Sequence, residues 1–108
     1  MSYHPELVAG RWFTLSLAEQ LGNIGSEVGR MRRSQDQSRN SFQLAFERAL
    51  ELIDLTLADK RHLHRLREIT RLRETLCDAV TGGHEYSSSL EGIDRYLMPF
   101  ALTARLNH

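Results

Sequence analysis

The chain of 108 residues has room for one domain, since two would leave roughly 50 residues each, near the lower limit for independent folding. Fourteen basic and fourteen acidic side chains cancel, and a composition 41% hydrophobic and 26% charged excludes a disordered tail and gives no overall electrostatic lead toward a polyanion. One cysteine, Cys77, excludes a disulfide framework and a four-cysteine zinc site and points to a reducing, cytoplasmic setting, and no apolar run is long enough to span a membrane or to act as a signal peptide.

Only Pro5 and Pro99 interrupt the sequence, so the stretch between them can hold long helices. From Phe13, the residues Leu17, Leu21, Ile24, Val28 and Met31 recur at spacings of three and four, which predicts a first helix over about 12–33 with one narrow apolar stripe. A second row on that helix, Ala18, Gly22, Gly25 and Gly29, carries no bulk. Glycine costs about 1 kcal/mol against alanine in a helix interior, so such a row calls for close approach of another helix. Trp12 falls near the polar side and is expected to cover a bundle end.

The polar stretch Arg32–Asn40 predicts a turn, and a second helix follows over about 41–58. Phe42, Ala45, Phe46, Ala49, Leu50, Ile53 and Leu57 form its broad core face, while Leu44, Leu52 and Leu55 continue the apolar surface around the back. A helix apolar on two sides in so small a domain predicts that these three leucines form an interface with another copy.

Asp59 is a plausible N-cap for a third helix over about 60–81, with Leu63, Leu66, Ile69, Thr70, Leu76, Cys77 and Val80 inward and Gly82 and Gly83 as its stop. Ser88 and Glu91 match a capping box, which predicts a fourth helix over about 89–105 with Leu90, Ile93, Leu97, Phe100, Ala101 and Ala104 inward. Pro99 is expected to kink or restart that helix, and Tyr86 falls in the turn before it. Four helices with short connections predict an all-α, antiparallel up-down-up-down four-helix bundle filling residues 1–108 as a single domain.

The basic side chains are thirteen arginines and one lysine. Residues 41–59 carry a net charge of −3 and residues 60–80 one of +3, so helices two and three attract. On helix three, His64, Arg67 and Arg71, with Arg61 and Arg65 alongside, recur at one-turn spacing that can follow a phosphate backbone, and these five are the candidate nucleic-acid contacts. Arg73 falls within the apolar face of the same helix and needs an acid across the bundle. Glu27, Glu47 and Asp54 are the candidates, and Asp54 is preferred for a structural ion pair. The five histidines do not converge and no Glu-x-x-His pair exists, so neither a metal, a cofactor nor a catalytic residue is expected; Cys77 reads as inert packing.

The four long helices, the basic outer helix and the phrases LGNIGSEV, AFERALELIDL and RLREITRLRE resemble the small bacterial four-helix-bundle proteins grouped with the 23S rRNA intervening-sequence proteins and the accessory variability proteins of diversity-generating retroelements. The resemblance covers about residues 10–105. It implies a homo-oligomeric ring, commonly a pentamer, whose basic surface binds RNA and a reverse transcriptase; this chain differs from the accessory proteins in its neutral charge. The second helical class considered is HEPN, whose toxin ribonucleases carry an arginine, four to six residues and a histidine. Here Arg61 to His64 and Arg105 to His108 are too close for that motif. The alternative is thus a HEPN-like toxin or antitoxin protein, acting through protein contacts or as a ribonuclease.

Overall fold

A computed structural model describes the backbone of residues 10–82 and 86–106, and the side chains of these except 86–89 and 104–106. His4, His84, His108 and Gly83, and the side chains of Tyr86, Ser88 and Ala104, lie outside the described residues. Among the described residues the fold is all-α. Residues 10–12 are helical, followed by α1 (Leu17–Ser34), α2 (Arg39–Leu57), a 3-10 segment (Lys60–Arg65), α3 (Leu66–Thr81) and α4 (Tyr86–Leu106). No described helix is long and apolar enough to cross a membrane.

The first helix starts five residues later than its apolar period predicts. Ser16 accepts from the Glu19 amide at 3.1 Å while the Ser16 amide donates to Glu19 Oε1 at 2.9 Å, a reciprocal cap that begins α1 afresh. The turn before it, closed by the Thr14 and Leu15 amides on the Arg11 and Trp12 carbonyls, rotates the chain so that Trp12 is buried and Phe13 is exposed. Phe13 is expected inward and Trp12 near the polar side, and the turn exchanges them, while Trp12 still packs at the end of α2. Ser38 caps α2 by accepting from the Ser41 amide.

Leu21, Ile24, Val28 and Met31 of α1 meet Ala45, Ala49, Leu52 and Ile53 of α2, Ile69, Leu72, Leu76 and Ala79 of α3, and Leu90, Ile93 and Leu97 of α4 in one core. Leu52 is thus a core residue, and Leu55 is partly buried against the core, so the expected three-leucine interface reduces to Leu44, half exposed. The reason is that α2 is covered on more than one side: it packs against α1, the 3-10 segment and α3.

The small row of α1 is the contact with α4. A Cβ placed on Gly22 would stand 2.7 Å from the Phe100 carbonyl oxygen, and one on Gly25 would stand 2.9 Å from Leu97 Cβ. Close helix approach is therefore what those two glycines provide. Arg32 bonds Asp94 at 2.8 Å across the same seam.

The third predicted helix is two elements. Asp59 caps it as expected, accepting from the Arg61 amide, but His62 takes φ −108° and ψ 24°, and the 3-10 stretch gives way to an α-helix at Leu66. The shift in register exposes Leu63 and Thr70 and makes Ile69, Leu72, Leu76 and Ala79 the buried line. Helix four begins at Tyr86 and runs through Ser88, so Ser88 is not its cap, and it continues through Pro99 without restarting.

Candidate nucleic-acid interface

The break at His62 divides the five basic residues predicted to act together. Arg61, itself exposed, covers a buried joint: its Nη2 donates to Asp59 Oδ2 at 2.6 Å and to the Leu15 carbonyl at 2.6 Å, and its Nε to Asp59 Oδ1 at 3.0 Å. Arg65 is engaged by Glu68 through two donors, at 2.6 and 3.0 Å. These two guanidiniums already hold carboxylates, so their charge is largely cancelled locally. His64, Arg67 and Arg71 are exposed, and neither arginine makes an ion pair among the described residues. Arg67 and Arg71 stand one helical turn apart, about 6 Å along the axis. Each guanidinium offers several donors in a fixed plane and stays charged at any accessible pH, which suits phosphate oxygens.

Arg73 does pair with Asp54, Nε to Oδ1 at 2.8 Å. The pair lies at the surface, 39% and 55% exposed, and not under the core as expected from the sequence. The buried line of α3 passes beside Arg73, so the bridge joins α2 to α3 at their rim. Cys77 is half-buried with the Arg73 guanidinium 3.9 Å from its sulfur.

Beneath Arg61 lies a polar cluster that the sequence reading missed. Gln20, Thr56, Asp59 and His62 are all buried, as is the Trp12 indole. Trp12 Nε1 donates to Thr56 Oγ1 at 3.0 Å, and that hydroxyl donates to the Leu52 carbonyl at 2.8 Å. Gln20 Nε2 donates to the Trp12 carbonyl at 2.9 Å and to Asp59 Oδ2 at 3.0 Å. With its amide nitrogen so used, Gln20 Oε1 is the acceptor, and His62 Nε2, 2.8 Å away, must carry the proton. The cluster ties residues 10–16, α1, the end of α2 and the 3-10 segment together.

Its electrostatics follow from burial and neighbours. The Arg61 guanidinium holds the Asp59 carboxyl far below the usual carboxylate range, outweighing burial, with Gln20 helping. Burial pushes the His62 imidazole below its ordinary value. The Asp59 charge 3.4 Å away opposes that shift, while Arg61, His64 and Arg65 add to it. Asp59 is thus charged and His62 neutral at neutral pH. The sequence signal was present: Gln20 falls within the first helix's apolar stripe and Thr56 follows Leu52 and Ile53 at helical spacing, so each was a polar residue on an inward face.

A groove of about 500 Å³ separates α3 from α4, floored by Leu72, Gly92 and Ile93 and rimmed by Glu68, Arg71 and Tyr96. Among the described residues no three histidine, cysteine or acidic side chains are grouped to hold a metal ion. Neither a protein-family model, nor a curated protein, nor a solved structure matches this chain.

Proposed function

We propose that this protein is a non-enzymatic, cytoplasmic accessory or adaptor of nucleic-acid biology. Its helices form an antiparallel up-down-up-down four-helix bundle that self-associates, contacts RNA through α3 and serves a protein partner such as a reverse transcriptase. The observation that carries the reading is the pair Arg67 and Arg71, exposed and free of ion pairs among the described residues, on a helix that buries only four residues. His64 and Lys60, both exposed, extend this surface, while Arg61 and Arg65 frame it with their charges engaged. The bundle topology is supported by packing of α1 on α2 and α4 and of α3 on the same two helices. Self-association is supported by apolar side chains at the surface, Leu44, Leu63, Tyr96, Met98 and Leu102, each between 45% and 64% exposed.

RNA retention tests the reading. The double variant Arg67→Glu, Arg71→Glu should abolish binding of plain RNA without loss of helicity. In the parent protein, affinity should fall steeply with salt as phosphate contacts release counterions. Undiminished retention by the double variant removes α3 from the function, and cleavage of the RNA favours the HEPN-like ribonuclease instead. Sedimentation at several concentrations reads the copy number, five in the family that the sequence resembles; a single unit at all concentrations defeats self-association.

A further inference from the structure

The side of α3 turned away from the core carries four charged residues in one row, Arg67, Arg71, Glu74 and Asp78, at spacings of four, three and four. All four are exposed, and none makes a side-chain hydrogen bond or an ion pair among the described residues, although Arg71 and Glu74 are only three apart. The order of the charges disfavours the helix that carries them. Arg67 stands one turn from Arg71 and Glu74 one turn from Asp78, so like charge neighbours like. Arg67 also lies in the first turn and Asp78 in the last, each at the end whose dipole repels it; Glu68 relieves the first turn, but no basic side chain relieves the last. Such a row calls for something outside the helix, as the glycine row of α1 calls for α4.

Turned end for end, the row keeps its spacings of four, three and four and exchanges its signs, so it is complementary to itself. At a rise of about 1.5 Å per residue, Arg67 and Asp78 lie about 8 Å on either side of the row's midpoint, and Arg71 and Glu74 about 2 Å. We propose that this face of α3 docks, antiparallel, on the same face of a second copy of this chain, with Arg67 opposite Asp78 and Arg71 opposite Glu74 in both directions. A slip of one turn loses two of these four pairs, and a parallel copy sets like charge against like. Antiparallel approach also lays each terminal charge beside the end of the partner helix whose dipole attracts it. A contact that meets its own copy about a twofold axis closes at two chains. Exposed ion pairs are individually weak and screened by salt, so the pairing is reversible and strongest at low ionic strength. The inference rests on the self-association proposed above, for which it names a surface. Since it uses the two arginines assigned to RNA, the paired and RNA-bound forms exclude each other.

Charge reversal tests it, by sedimentation of nucleic-acid-free protein. The parent should pair reversibly in about 0.05 M salt and about tenfold more weakly in about 0.5 M. Arg67→Glu with Arg71→Glu makes the row wholly acidic, and Glu74→Arg with Asp78→Arg makes it wholly basic, so each variant alone should sediment as a single unit. Mixed in equal amounts, the two should pair again at least as tightly as the parent, a rescue that a misfolded variant cannot give. Association undiminished in either variant alone, or variants that stay single when mixed although circular dichroism shows both folded, overturns the inference. The first of these results leaves self-association standing through another surface. A parent that is a single unit at every concentration overturns the inference and self-association together. RNA retention is read apart from both: Glu74→Arg with Asp78→Arg keeps the two arginines, so it should lose pairing and still retain RNA.

Discussion

Helices α1 and α3 both pack against α2 and α4, yet they are built to opposite ends. The first opens on a reciprocal cap, buries nine residues including three glycines and a glutamate, and brings its backbone against that of α4. The third has no side-chain cap, is reached through a 3-10 segment that breaks at His62, buries four residues and leaves a groove along α4. The lesson is a division of labour. A helix whose backbone touches its neighbour tolerates almost no change, whereas one held by four side chains can devote its remaining surface to charge.

That contrast can be broken most directly at Gly22. Gly22→Ala should cost about 1–3 kcal/mol in denaturant unfolding, because the atom it meets is backbone, 2.7 Å away, and cannot rotate aside. A stabilised protein would mean that α1 and α4 are not in such close contact. Acid tests the other anchor of α1. The folded-state pKa of His62 lies below the ordinary 6.5, so the unfolded chain takes up the proton first, and stability should decline as pH falls from about 6.5 to the depressed folded value. The lowered Asp59 pKa adds a second loss as pH drops through and below 3.8. Thermal melts at stepped pH should show both declines, and His62→Asn should erase the upper one while leaving the lower.

Gly92, on the floor of the α3–α4 groove, is the control for Gly22. A Cβ there meets nothing within 4 Å, so Gly92→Ala should stabilise the protein by about 0.5–1 kcal/mol through helix propensity alone. The smallest effect on stability belongs to Arg67→Glu with Arg71→Glu, within about 0.5 kcal/mol in the same titrations, since neither side chain has a partner to lose among the described residues.

Much of this contrast was legible beforehand. The row Gly22 and Gly25 pointed to a close neighbour because each glycine costs helix stability that close approach repays, and the core stripe from Leu21 to Met31 is where its period places it. The break at Ser16 was overlooked because the apolar spacing runs from Phe13 straight across it, although Ser16 with Glu19 is itself a cap signal. The turn at His62 has no comparable mark. KRHLHRLRE holds neither proline nor glycine, and the bend follows from tertiary bonds of Asp59 and His62 to Gln20, thirty-nine and forty-two residues away. Since the expected basic stripe depended on an unbroken helix, its five members do not fall in one row, and Arg61 and Arg65 each hold a carboxylate. Leu52 was misplaced for a different reason: an apolar back face looks the same in sequence whether a sister copy or the remainder of the same chain covers it.

The chain contains one tryptophan, and its indole sits in the joint where the leading turn meets the end of α2. Indole emission, excited at wavelengths where the three tyrosines do not absorb, therefore reports a single location. A red shift that precedes loss of ellipticity would mark the leading turn lifting away while the rods remain intact, so the molecule has an intrinsic optical gauge of its own fraying.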